Sequence, residues 1–179
     1  MNEQEHHSKN EGLTDRHQHL SQGESASTIK IVDYTPEHAK AFYDLNYAWI
    51  SDAYEVEPED EKVLEDPENY YLKDGGAILI ALYQGEPVGT CALKQGDPGV
   101  VEMSKMTVSK EMRGKKIGDL LGYAVIEKAR ELGAEKVILY SNRKGSAAGI
   151  NLYKKLGFVE VPLTGHNFKR ADIKMELNL

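Results

Sequence analysis

An alternating run, Val101-Glu102-Met103-Ser104-Lys105-Met106-Thr107-Val108, leads into the basic, glycine-containing stretch Met112-Arg113-Gly114-Lys115-Lys116-Ile117-Gly118. The alternation predicts a strand. Ile117, Leu120, Leu121, Ala124, Val125, Ala129 and Leu132 predict the core stripe of a helix over about 115–132, with Gly133 where that helix can stop. A strand that turns into a helix in this way exposes the unpaired N–H groups and positive dipole of the first helical turn. The backbone of Arg113, Gly114, Lys115, Lys116, Ile117 and Gly118 can therefore donate to a phosphate or pyrophosphate. Gly114 and Gly118 remove bulk where such a ligand approaches. The side chains of Arg113, Lys115 and Lys116 add attraction or face water. Neither Gly-x-Gly-x-x-Gly nor the P-loop spacing occurs, so this is not a dinucleotide or P-loop fingerprint.

The elements around this turn predict one domain over 29–179. A strand is expected at 29–33, then a helix capped by Thr35 and opened by Pro36, with Ala39, Phe42, Tyr43, Leu45, Asn46 and Trp49 on an interrupted apolar face. A short helix is expected over 58–64, ended by Asp66-Pro67. Turn residues separate strands at 77–83, 88–93 and 100–108, the first two forming a hairpin. A strand at 136–140, a helix ending near Leu156, and strands near 158–161 and 171–177 complete the set. Hairpins followed by a strand–helix alternation predict an α/β fold, a mixed sheet with helices against it.

The formal charge of −7 argues against a nucleic-acid partner, although the Arg113–Lys116 region is locally basic. Residues 51–70 hold nine acidic residues and one lysine, read as a solvated surface or as an attractant for cationic amines. Cys91 has no partner for a disulfide, and its alternating apolar surroundings favour a packed thiol over a reactive one. No apolar run reaches membrane-span length and no signal peptide is present, so a cytoplasmic protein with no membrane partner is expected. Residues 1–28 are polar and lack periodicity, which predicts a flexible extension; His6, His7, His17 and His19 there have no enforced metal geometry. His38 and His166 also lack metal partners at a convincing spacing, so no metal site is expected.

Arg113-Gly114-Lys115-Lys116-Ile117-Gly118, taken with Asn151-Leu152-Tyr153-Lys154-Lys155-Leu156-Gly157-Phe158, resembles the GNAT superfamily of acyl-CoA-dependent N-acetyltransferases. The likeness covers residues 29–177 in element order. The family's phosphate pattern is Arg or Gln, two residues, Gly, one residue, then Gly or Ala. Arg113 and Gly118 match its ends, while Lys116 replaces the central glycine. A lysine there keeps its N–H but is not expected to reproduce a glycine conformation if positive φ is required. The resemblance implies a mostly antiparallel sheet splayed between the strands ending near Val108 and Tyr140. It also implies acetyl-CoA as cofactor, with its pantetheine arm lying along backbone groups near Met106 and Val108.

The implied reaction is direct transfer of acetyl to a primary amine of a small molecule or amino-acid derivative. The alternatives are a noncatalytic acyl-CoA-binding regulator and a peptide or protein N-acetyltransferase. The resemblance places Tyr153 beside the cofactor sulfur as general acid; a helix-packing tyrosine is the other reading. Glu102 is the candidate general base, directly or through water, or else a substrate-charge or salt-bridge residue. Simple alternation would put it on one face with Ser104, Met106 and Val108. Asn142 binds pantetheine or caps a turn. Ser146 stands where the family often has Asn and retains one hydrogen bond to offer. Tyr43, Tyr47, Trp49, Tyr54, His166 and Arg170 are candidates for the acceptor pocket. A homodimer remains open.

Overall fold

In the computed structural model, which describes residues 28–166 and 168–179, seven strands form one sheet in the order β1-β2-β3-β4-β5-β7-β6. The strands are β1 (Ile29–Asp33), β2 (Ala77–Tyr83), β3 (Glu86–Gln95), β4 (Val100–Val108), β5 (Lys136–Ser141), β6 (Val159–Val161) and β7 (Ile173–Asn178). The four helices are α1 (Ala39–Ala53), α2 (Pro58–Glu65), α3 (Ile117–Glu131) and α4 (Ala147–Leu156). Every neighbouring pair of strands is antiparallel except β4–β5. That parallel pair requires a crossover, which α3 supplies. This is the mixed, mostly antiparallel architecture that the sequence predicts. The expected extension and its four histidines lie outside the described residues, Thr28 excepted.

Two apolar layers sandwich the sheet. On one face Leu121, Val125 and Ala129 of α3 and Ile150 and Leu156 of α4 pack on Val101, Met103, Val137 and Leu139. On the other, Phe42 and Ile50 of α1 and Val63 and Leu64 of α2 pack on Ile78, Ile80 and Ala92. Cys91 is fully buried in the first layer and its thiol is pushed up to about 12 by burial, so it is a packed, inert side chain. Leu120 departs from the expected stripe and is 45% exposed; Gly122 and Ile126 are buried instead. On α1 the buried positions are Phe42, Asn46 and Ile50, a narrower stripe than expected. A π-helical turn at Glu68–Leu72, unforeseen in the sequence, carries Tyr71 into the second layer.

Two backbone irregularities matter most. In β4 the pairing with β3 passes from Ala92–Ser104 to Thr90–Thr107, so two residues of β4 oppose Cys91 alone. This is a bulge, and Lys105 within it has φ of 51°. The alternation shifts there: Met106 and Val108 pack with Val101 and Met103 on the α3 side. Ser104 and Lys105 instead reach Tyr71 and Asp60 on the α2 side. Glu102 therefore shares its face with Ser104 and Lys105, and the expected alignment with Met106 and Val108 is corrected.

The second irregularity precedes α3. Gly114 has φ of 76° and Lys116, the N-cap, has φ of 61°. Lysine thus does adopt the left-handed conformation at this position, against expectation, and α3 starts at Ile117, two residues later than predicted. Its side chain is exposed and meets no steric barrier beyond the local cost of about 1–2 kcal/mol. Lys116→Gly is expected to raise stability by about 0.5–1 kcal/mol in urea denaturation, since relief of this strain is partly offset by the entropy of unfolded glycine.

Candidate active site

The site begins where β4 and β5 part. Their register runs from Val100–Lys136 to Met103–Leu139 and goes no further, while β5 continues against β7. A cleft of about 480 Å³ opens beyond that point, between Met106–Val108 and the start of α3 on one side and Gly145–Tyr153 on the other. A smaller cavity of about 90 Å³ lies at its inner end, lined by Glu102, Ser104, Lys105, Tyr140, Phe168 and Arg170 among others. Trp49, Met106, Ser146 and Tyr153 line both spaces and so form the throat between them.

At the outer end of the cleft, the backbone N–H groups of Gly114, Lys115, Lys116, Ile117, Gly118 and Asp119 meet no acceptor among the described residues. Left-handed residues at 114 and 116 gather these donors before a helix N-terminus, an arrangement that suits an anion. Arg113 lines the cleft and its Nε donates to the Val108 carbonyl at 3.3 Å, tying the turn to the end of β4. Lys116 lines the cleft as well. Lys115 does not: its ammonium sits 5.8 Å from the centre of the Tyr83 ring. Gly118 serves close packing, because a Cβ there would stand 3.3 Å from Leu152 of α4.

Tyr153 lies at the throat with its ring edge-on to Phe158, and its hydroxyl makes no hydrogen bond with the described residues. Burial, and secondarily the nearby Cys91, pushes the phenol well above its ordinary value, so it is a proton donor at neutral pH. Glu102 in the inner cavity is raised by burial, against the lowering influence of Lys94, Lys105 and Lys174. A raised carboxylate is better matched to proton acceptance near neutrality than an exposed one.

Ser146 stands at the N-cap position of α4, but its hydroxyl makes no capping bond and instead lies 3.2 Å from that of Tyr54. Asn142 is held as a turn cap: Oδ1 accepts from the N–H groups of Lys144 and Gly145, and Nδ2 donates to the Arg170 carbonyl at 2.6 Å. Of the expected acceptor-pocket residues, Trp49, Tyr54 and Arg170 line the inner cavity. Tyr43 and Tyr47 stack on each other elsewhere, and exposed His166 contacts the Phe168 carbonyl.

The sequence reading did not single out Lys105 or Asp60. Asp60 sits within the acidic run expected to be solvated, yet it is fully buried. It takes a two-pronged hydrogen bond from Arg170, at 2.8 and 2.7 Å, and a third from Lys105 at 3.0 Å. Burial alone would raise its carboxyl; Arg170, then Lys105 and the Glu57 N–H, outweigh that and hold it at about 2. The available signal was a lysine at the expected phase of Met103, where an unpaired charge would be costly. No group of three His, Cys, Asp or Glu side chains suited to a metal occurs among the described residues.

A splayed sheet with free N–H donors among the described residues at one end, and Tyr153 and Glu102 towards the other, has the form of a group-transfer protein that takes an extended, anionic donor. The acetyltransferase (GNAT) family model matches residues 39–158, and the chain belongs to that family. It is 33% identical over 106 residues to an N-acetylaspartate synthetase of Xenopus tropicalis, covering 58% of this chain and 39% of that protein. The chain thus spans about two fifths of that relative's length. It is 39% identical over 118 residues to an L-methionine sulfoximine/L-methionine sulfone acetyltransferase of Pseudomonas paraeruginosa, covering 60% and 67% of the two chains. The fold matches the PaiA N-acetyltransferase of Thermoplasma acidophilum in complex with coenzyme A, with a TM-score of 0.63, 19% identity, and 85% and 99% of the chains covered.

Breaking the Asp60 cluster leaves confined Lys105 without its carboxylate partner and Arg170 with only the longer contact to Glu57 among the described residues. Asp60→Asn is expected to cost about 3 kcal/mol at pH 7 in urea denaturation. Because the folded carboxyl is depressed from 3.8 to about 2, its stabilisation is full above pH 4 and is lost as pH falls through 2. The wild-type acid transition should show that loss and the Asn variant should not.

Proposed function

We propose that this protein transfers an acetyl group directly from acetyl-CoA to the primary amine of a small molecule or amino-acid derivative. The observation that carries this reading is the throat, where a protonated Tyr153 faces the cleft and Glu102 stands in the cavity behind it. Family membership and the coenzyme A complex of a structural relative support the choice of donor. The names of the two sequence relatives, one a synthetase of N-acetylaspartate and the other an acetyltransferase of L-methionine sulfoximine and L-methionine sulfone, support an amino-acid type of acceptor.

In this reading the free N–H groups from Gly114 to Asp119, with Arg113 and Lys116, hold the pyrophosphate. The open edge of β4 at Met106 and Val108 accepts the pantetheine amides in place of a neighbouring strand. A thioester supplies the activated acyl carbon, so the protein needs no nucleophile of its own. Its task is alignment and proton traffic.

An alkylammonium with a pKa of about 10 must be neutralised at a cost of roughly 4 kcal/mol at pH 7 before it can attack. Glu102, directly or through water, receives that proton. Fixed N–H donors near Val108 stabilise the developing oxyanion with little reorganisation. Tyr153 returns a proton to the departing sulfur. The cavity of about 90 Å³ suits a small acceptor better than a folded protein surface.

Tyr153→Phe is expected to lower kcat roughly 100-fold while leaving coenzyme A affinity within about twofold, measured by thiol release and calorimetry. Equal loss of affinity would assign the tyrosine to packing. The acid limb of the kcat/KM profile should lie above the ordinary carboxylate range, since Glu102 must be deprotonated to act and burial raises it. Glu102→Gln should abolish that limb.

A further inference from the structure

The inner cavity presents two cations whose shared counter-ion is hidden from it. Lys105 and Arg170 both line the cavity, whereas fully buried Asp60, which holds both, lines neither the cavity nor the cleft. The Lys105 side chain is 5% exposed and that of Arg170 16%. Glu57 meets Arg170 at 3.4 Å, but it too is absent from the cavity wall. Both carboxylates therefore stand behind the wall, and the two confined cations are what the cluster presents to the cavity. Arg170 is fixed between aromatic rings, 4.7 Å from the centre of Phe168 and 5.2 Å from that of Tyr54. Lys105 lies 4.8 Å from the centre of Phe168, and among the described residues its hydrogen-bond partner is Asp60 alone, leaving two of its three donors.

Glu102, on the same wall, supplies the opposite charge character. Antiparallel register sets it opposite Lys94, and its field reaches Lys105. A small molecule filling this space meets the Glu102 carboxylate and a preorganised cationic pair in the lining of one cavity. That is a receptor for a zwitterion.

We propose that the acceptor is an amine bearing a carboxylate, as in a free amino acid, and that Lys105 and Arg170 recognise the carboxylate while the amine faces Glu102 and the throat. This rests on the transferase reading above and narrows its substrate class. The bulge in β4 is what makes it geometrically available. Without the extra residue, Lys105 would project with Met103 into the α3 layer; with it, the ammonium turns to the α2 face. Asp60 then acts as a positioning residue that preorganises the pair and lies behind the contact surface.

The test is acceptor-dependent release of coenzyme A from acetyl-CoA by the full chain, with a panel of L-amino acids, each beside its carboxamide and its decarboxylated amine. The expected result is a kcat/KM at least about tenfold higher for the amino acid than for its carboxamide, as loss of a charge-assisted hydrogen bond implies. Arg170→Gln and Lys105→Gln should each bring that ratio towards one, and Arg170→Lys should restore part of it. Because both acceptors are compared on the same preparation, the ratio does not depend on the fraction folded. Turnover of amines with no preference for the carboxylate, or a preference unchanged by both glutamine variants, overturns the inference and leaves the transferase reading standing. Failure of every acceptor to release thiol overturns both.

Discussion

β4 keeps β3 as a partner along its length but loses β5 after Met103, and this divergence is the constraint on which the molecule is built. Backbone donors and acceptors on a buried strand edge are costly to leave unmatched, so a strand edge that opens inside a sheet invites an extended ligand. The α3 crossover fixes the divergence, because a parallel neighbour can be reached only by a long connection packed on one face. That connection delivers the N–H groups of Gly114–Asp119 to one end of the gap. The next one, from β5 into α4, delivers Tyr153 to the other.

Electrostatics on the opposite face centre on the buried carboxylate of Asp60. Asp60 joins α2, the bulge of β4 and the segment before β7 through Lys105 and Arg170. Buried ion clusters of this kind contribute less to net stability than to fixing one geometry, because desolvation offsets most of the attraction. Here the geometry fixed is the wall of the inner cavity. The Asn142 bond to the Arg170 carbonyl braces the same segment from the β5 side, so the wall is held from both directions.

The sheet and the order of elements were legible because they follow from short-range rules, while β3 runs two residues further at each end than expected and β7 starts two residues later. Alternation, turn residues and a 3.6-residue apolar period placed β2 and β4 to the residue and α3 to within two residues. Leu120 was misassigned because an apolar residue beside a stripe looks the same in sequence whether it faces the core or solvent. Lys116 was read as an obstacle on the strength of its side chain, yet exposure lets it accept a left-handed backbone at modest cost. The positions of Tyr43, Tyr47 and His166 away from the cavity depend on helix rotation and loop path, which no local pattern encodes.

By itself the sequence determined the family, the mixed sheet, the strand-to-helix turn and the two residues, Tyr153 and Glu102, that stand at the throat and in the cavity beyond it. Tertiary structure alone decided that β4 carries a bulge, that Lys105 consequently faces α2, and that Asp60 is buried between Lys105 and Arg170. The physical reason is range. Periodicity reports which residues share a face of one element, but a bulge arises from pairing with a neighbouring strand. A buried ion cluster arises from three segments far apart in the chain, whose charges acquire a shared environment only once the sheet and α2 have packed.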